Sequence, residues 1–308
     1  MKKKLEAEIS NSPVKLSIVV VSIYYHQSLV NCLDSILACE NQDKIEIIVA
    51  NSTSDNSLPN LNIKYPRVRF IQCAPNMGIP DLSAAGIAQT SGEIIALTDS
   101  SCLVDAGWVT SILKAHQSQS TVVGGTVEIH GLRKAVDWAA YFCEYGEFMR
   151  PLRTGSVDAL PGNNISFKRS ALLIGNEYVE NKFWKTFWCQ KLRAEGVELI
   201  SEPSMLVYYA KNFRLASFLT RRFQHGRCFA GMRAIEFTFT KRVLYFGGSI
   251  LLPFIFLYRV TATVVGKKRR LKELLLSFPL IVLAIIFWSL GESCGFLAGT
   301  GKSCEYIR

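Results

Sequence analysis

The sequence contains no CxxC pair and no Cys/His spacing suited to zinc, although it carries nine cysteines and four histidines. A zinc module is thereby excluded, and all nine cysteines are expected to be reduced thiols. No Gly-rich loop bearing Arg and Lys follows the first strand-like run, Leu16–Ser22, which leaves a nucleotidyltransferase without support. Internal repeats, low-complexity tracts and recognisable nucleic-acid modules are also missing, so the net charge of +10 does not point to nucleic acid as a partner. Met1-Lys-Lys-Lys4 leads into Leu-Glu-Ala-Glu and not into an apolar core. No signal peptide is expected, and the soluble part is expected in the cytoplasm.

What the chain has in excess is apolar residues near its end. With 308 residues and 49% hydrophobic content it can hold one sizeable α/β domain and something smaller. Val243–Tyr258 is uncharged, Arg259 alone interrupts the run to Val265, and Leu274–Gly291 has no charge before Glu292. A bilayer core needs about 20 apolar helical residues, so each stretch is long enough to cross. Between Lys211 and Arg242 eight basic residues face one acid, Glu236, a composition attracted to anionic lipid. Basic residues on both sides of the first stretch, including Lys267-Lys-Arg-Arg270, leave two arrangements open. Either Gly247-Gly248 and Pro253 permit a re-entrant or interfacial hairpin and Leu274–Ala298 spans once, or both stretches span.

Ahead of these segments, hydrophobic periodicity predicts strands at Leu16–Ser22, Ile45–Ala50, Val68–Gln72, Glu93–Thr98 and Thr121–Ile129. Helices are predicted after Leu29 and over Asp81–Thr90, Gly107–Gln117, Lys134–Glu147 and Lys182–Ala194, with short strands near Glu198 and Val207. Alternation of this kind argues for an α/β fold with a largely parallel sheet covered by helices on both faces. Ligands of such sheets bind beyond the carboxyl ends of the strands, where Asn51, Asp55 and Asp99 fall.

The run Asp99-Ser100-Ser101-Cys102, delivered by an apolar strand and followed by Asp105-Ala-Gly-Trp108, is the most informative stretch. Together with Ile47–Asp55, Asn76-Met-Gly78 through Gly86, Ser91-Gly-Glu-Ile-Ile95 and Gly162-Asn-Asn-Ile-Ser-Phe-Lys-Arg169, it resembles family 2 glycosyltransferases of the GT-A fold over roughly residues 14–230. The resemblance implies a Rossmann-like mixed, mostly parallel sheet flanked by helices, and transfer of a sugar from a nucleotide-sugar donor, usually with Mg²⁺ or Mn²⁺ on a DXD motif, with inversion at the anomeric carbon. It implies donor contacts from Ser22, Asn51, Asp55, Asn76, Asp99 and Ser101, with Asp99 the metal ligand.

Four departures qualify that implication. Ser101 stands where the second DXD acid belongs, Asn51 replaces an acid at the second strand's end, and Ser83-Ala84 replace a frequent Arg-Asn pair. The family's catalytic Glu-Asp pair falls on Trp184-Lys185. Asp99, Glu180 and Lys185 are the candidate catalytic residues, with Glu177 and Asp158 as further candidate bases. Asn163, Asn164, Arg221, Arg222, Gln224 and Arg227 are candidates on the acceptor side; Gln224 and Arg227 resemble part of a Gln-x-x-Arg-Trp element. A phosphate monoester, with a second pKa of about 6, needs no general base, so the missing acid suits a polyprenyl phosphate. Trp108 is expected to pack, His225 to lie on the surface and Glu292 at an interface. The expected organisation is a tail (1–13), a GT-A domain (14–210), a basic amphipathic segment (211–242), two membrane segments (243–300) and a tail (301–308). The enzyme would sit at the cytoplasmic membrane, facing the cytoplasm, with a lipid-linked or cell-surface glycan acceptor. The alternative is a GT-A-like protein that binds a nucleotide sugar or a partner without turnover.

Overall fold

The computed structural model describes residues 14–23, 26–52, 58–75, 77–131, 133–235 and 237–307, so Asp55 and Asn76 lie outside the described residues. In chain order the elements begin β1 (Leu16–Ser22), α1 (His26–Leu37), β2 (Ile45–Asn51), α2 (Leu58–Lys64), β3 (Val68–Gln72), α3 (Ile79–Ala88) and β4 (Ile94–Asp99). There follow β5 (Cys102–Val104), α4 (Trp108–Ala115), β6 (Val122–Ile129), α5 (Ala135–Tyr145), β7 (Gly155–Val157), β8 (Ile165–Lys168), α6 (Lys185–Ala194) and β9 (Leu199–Tyr209). The chain closes with α7 (Leu215–Arg233), α8 (Phe239–Gly248), α9 (Leu252–Gly266) and α10 (Leu271–Ala298).

The chain divides into two compact units, Met1–Ile129 with Phe148–Ala210, and His130–Glu147 with Lys211–Arg308. In the first, the strands form one mixed sheet in the order β3-β2-β1-β4-β8-β6-β9-β5, with β7 on β9. β1 pairs parallel with β2 and β4, and every residue of β1 is buried, as a strand covered on both faces requires. β8 is antiparallel to both β4 and β6. The two short strands expected near Glu198 and Val207 are one strand of 11 residues, irregular opposite Gly125/Thr126. A Cβ on Gly125 would lie 1.9 Å from Met205 O, so only glycine permits that close approach. On one face of the sheet, Phe167 and Phe183 pack on Trp188 of α6, whose ring centroid is 4.9 Å from that of Phe167.

The second unit is helical. Among the described residues two helices are long and apolar enough to cross a membrane, Phe239–Gly266 and Leu271–Ala298, 28 residues each. Helix continues through Gly247-Gly248 and Pro253 by way of a 3-10 turn at Ser249–Leu251, so the hairpin expected inside the first stretch does not form. The chain reverses instead at Lys267–Arg270, where Lys268 and Arg270 take positive φ. Helix α10 packs on α7 through glycines: a Cβ on Gly291 would lie 2.1 Å from Phe223 O, and one on Gly226 2.2 Å from Trp288 O. Cys228 and Cys304 form a disulfide, which corrects the expectation of nine free thiols; the other seven are free. Spacing alone did not reveal this pair because its 76-residue separation is bridged only when α7 and the C-terminal segment meet.

Candidate active site

Three parallel strands end level with one another. Asp99 closes β4 opposite Val21 of β1, and the Ser100 N–H donates to Val21 O at 2.9 Å. Across β1, the Ser52 N–H donates to Ser22 O at 3.0 Å. Strand order reverses between β1 and β4, the switch point where open α/β sheets leave a crevice at their carboxyl ends. Ser22 and Ser52 are buried there, and Asp99 is half-buried. Ser52 Oγ has no hydrogen-bond partner among the described residues.

Asp99 is steered from its own turn. Its Oδ1 accepts from the Ser101 N–H at 2.8 Å and from the Ser101 hydroxyl, a local side-chain turn that holds one carboxylate oxygen. Among the described residues no bond is made by Oδ2. Ser101, expected to contact the donor, thus orients Asp99. Burial, and next the charge of Asp99, push the Cys32 and Cys102 thiols well up, so neither is a nucleophile near neutrality.

The two asparagines behave differently. Asn163 donates to Cys102 Sγ at 3.2 Å beside the Asp99 turn, and its buried Oδ1 has no partner among the described residues. Asn164, expected on the acceptor side, is wholly buried and serves the scaffold. Its Oδ1 accepts from Trp108 Nε1 at 2.8 Å, and its Nδ2 donates to Thr126 O at 2.9 Å and Met205 O at 2.8 Å. Trp108 packs as expected, fully buried. Asn51 is buried as well and donates to Gln72 Oε1 at 3.1 Å.

Two of the three candidate bases have partners of their own. Glu180 is exposed and accepts from Asn176 at 2.6 Å. Glu177 is exposed too, and Asp158 pairs with Arg193 at the amino-terminal end of β9. Lys185, at the start of α6, donates to Leu160 O at 2.5 Å. Two charged residues that sequence reasoning missed meet near it. Lys182 pairs with Asp81 at 3.1 Å, Asp81 also accepts from the Gly78 N–H at 3.1 Å, and the Phe183 N–H donates to Pro80 O at 2.8 Å. Asp81, three residues into a helix after Gly78, carried a capping signal; Lys182 carried none.

The remaining candidates belong to the helical unit. Arg221 lies over the Phe213 ring at 5.5 Å, Arg222 is buried over Trp288 at 4.3 Å, and Arg227 Nε donates to Gly299 O at 3.2 Å. The contacts of Arg222 and Arg227 join α7 to α10 and its carboxyl end. Gln224 is half-buried and makes no hydrogen bond among the described residues. His225 is not the surface residue expected: its Nε2 is enclosed without a partner among the described residues. Burial, with Arg221, Arg222 and Lys211 nearby, holds its pKa well below the usual value. Glu292, expected at an interface, is buried, paired with Arg233 at 2.8 Å and bonded by Trp288 Nε1 at 2.8 Å.

Among the described residues no three His, Cys, Asp or Glu side chains cluster to hold a metal. The fit that remains is narrow: one carboxylate oxygen of Asp99, which suits a divalent ion whose other ligands are water and substrate phosphates.

The sequence profile of glycosyl transferase family 2 matches residues 17–173, just over half of the chain, including β1, β4 and the Asp99 turn. The chain belongs to glycosyl transferase family 2. A curated N-acetylglucosaminyltransferase of Bradyrhizobium diazoefficiens is 24% identical over 169 residues, which are 51% of this chain and 35% of that protein. The match thus spans about a third of that relative's length. Among solved structures, a mannosyltransferase from Pyrobaculum calidifontis, PcManGT, in complex with GDP-Man and Mn²⁺ superposes with a TM-score of 0.57. It is 14% identical, and the likeness covers 94% of this chain and 92% of that one. S. aureus TarS 1–349 in complex with UDP-GlcNAc follows at a TM-score of 0.51 and 12% identity, covering 91% of each chain. Both likenesses are to the GT-A fold that this family 2 chain adopts.

Proposed function

We propose that the protein is a membrane-associated glycosyltransferase that moves a sugar from a nucleoside-diphosphate sugar to a polyprenyl phosphate, at the cytoplasmic face of the membrane. The observation that carries this is Asp99: a carboxylate at the switch point of the sheet, fixed by Ser101 through one oxygen and presenting the other. Family membership supports the reaction class, and the donors named for PcManGT and TarS support a nucleotide-sugar donor. Asp99 would hold Mg²⁺ or Mn²⁺, which when bound neutralises charge on the diphosphate. Ser22, Ser52 and Asn163 line the same end of the sheet and would position the donor. An acceptor phosphate oxygen bonds to the anomeric carbon as the bond from that carbon to the diphosphate oxygen breaks, and the diphosphate leaves with the electron pair. A single displacement of this kind inverts the anomeric centre.

The positions of the acids support this acceptor class. Glu180 accepts from Asn176, Asp158 pairs with Arg193 and Glu177 is exposed, so none of the three is held as a buried base poised to take a proton from a neutral hydroxyl. A phosphate monoester arrives already ionised, and the amines of Lys182 and Lys185 supply positive charge near Pro80 and Leu160. The test is nucleotide release from a panel of UDP- and GDP-sugars, with and without Mn²⁺, offered polyprenyl phosphate or neutral glycans. Release with polyprenyl phosphate is expected. Exclusive use of a neutral glycan overturns the acceptor assignment, and a donor that raises the melting temperature without any release favours a binding protein over an enzyme.

A further inference from the structure

We infer that the C-terminal helical hairpin does not cross a membrane but lies in the plane of one anionic leaflet, with its turn and both its ends on the same side. The inference concerns the helical unit alone and does not depend on the transferase reading.

Its first support is the path of the helices that cover α10. Helices α5 and α7 start from one bonded point: the Phe213 N–H, just ahead of α7, donates to Asp137 Oδ1 at 2.7 Å, and Arg133 donates to Asn212 Oδ1 at 2.5 Å. That point lies beside the beginning of α10, since Arg270 stacks over Trp138, the residue after Asp137, at 5.2 Å. Helix α7 runs to the other end, where Gly231 abuts Thr300 and Cys228 is bonded to Cys304. Between those ends α10 has 28 residues, a length of about 42 Å. A hydrocarbon core is about 30 Å thick, so a crossing α10 would draw much of α7, with Arg222 and Arg227, into the bilayer interior.

The second support is charge at every level along the covered face. Arg259 pairs with Glu147 at 3.0 Å, Arg222 lies over Trp288, and Arg233 pairs with Glu292. A membrane interior accepts such groups poorly, and here they follow α9 and α10 from the turn to the carboxyl end.

The third support is the opposite face. Phe239, Leu244, Ile250, Phe254 and Tyr258 along α8 and α9, and Leu275 of α10, are 69–79% exposed. Monomeric soluble proteins rarely expose an apolar surface this long. Lys241 and Arg242 stand at one end of it, and Lys267 to Arg270 with Lys272 at the other, which complements anionic headgroups. Basic residues at both ends of an apolar surface favour its seating at an anionic headgroup boundary.

The experiment uses the unaltered full chain, added to preformed sealed vesicles of phosphatidylcholine and phosphatidylglycerol, then treated with a membrane-impermeant lysine-acylating reagent. Peptide mass spectrometry reads Lys267, Lys268 and Lys272 against Lys114 of the sheet unit as reference. The expected result is modification of the turn lysines, within about twofold of that in detergent. Turn lysines protected until detergent is added, while Lys114 reacts, overturn the inference in favour of a crossing. Failure to float with the anionic vesicles overturns it as well. A protease site inserted between Lys268 and Arg269 gives a second readout, since in-plane seating exposes it to protease outside the vesicle and a crossing hides it.

Discussion

Replacing Asn164 by Ala separates a scaffold role from a ligand role at the Asp99 end of the sheet. The side chain makes three hydrogen bonds, to Trp108 Nε1, Thr126 O and Met205 O, all in the interior. Each contributes about 1 kcal/mol net, and the truncation strands an indole N–H and two carbonyls where water does not reach. The expected loss is about 3–5 kcal/mol, or a fall of about 10 °C in melting temperature for a unit of this size. Asn164→Asp keeps the acceptor for Trp108 but turns a carboxylate toward two carbonyl oxygens, and is expected to be at least as damaging. Asn163→Ala is the control: its buried Oδ1 has no partner among the described residues, so its removal is expected to change stability by under about 1 kcal/mol. Thermal and urea unfolding followed by tryptophan fluorescence provide the readout, alongside nucleotide release. An Asn164→Ala protein that melts within about 2 °C of the parent while losing turnover would refute the scaffold assignment.

Four further outcomes are expected. Asp99→Asn should fold normally yet lower nucleotide release about 100-fold and abolish the thermal shift given by donor with Mn²⁺; unchanged release would remove Asp99 from the site. Burial lowers the His116 pKa from 6.5 to about 4, so the unfolded chain binds a proton that the folded one refuses. Stability from this group is therefore whole above pH 6.5 and declines as pH falls toward 4, by about 3 kcal/mol in all; His116→Gln should flatten that slope in urea titrations. Gly291→Ala should weaken the α7–α10 packing by about 3 kcal/mol, while Gly247→Ala, which meets nothing within 4 Å, should be neutral or stabilising; equal effects would contradict the close helix contact. Reduction, or Cys228→Ser, should destabilise the helical unit by about 4 kcal/mol on the chain-entropy estimate for its 76-residue separation, read by differential scanning with and without reductant.

Strands β1, β2, β3 and β4 were legible because each is a run of apolar residues bounded by polar turns, a signal carried by immediate neighbours. Helix α6 was legible for the same reason, apart from its first turn. β8 was not: Ile165–Lys168 is four residues long, and its antiparallel seat between β4 and β6 is decided by partners about 40 and 70 residues away. The roles of the site residues divide along the same line. Asp99 could be placed at a strand end from its own neighbourhood. That Asn164 is fastened to Trp108, and Asp158 to Arg193, depends on which elements meet.

The order of apolar runs alone determined a largely parallel sheet with an acid at its carboxyl edge and a terminal pair of long apolar helices, because hydrophobic periodicity is a local property of a chain. Tertiary structure decided which polar side chains are consumed by the scaffold, which two cysteines join, and which face of the hairpin remains bare. Those outcomes depend on pairings between residues distant in sequence, and a buried donor takes whichever acceptor the fold brings within about 3 Å.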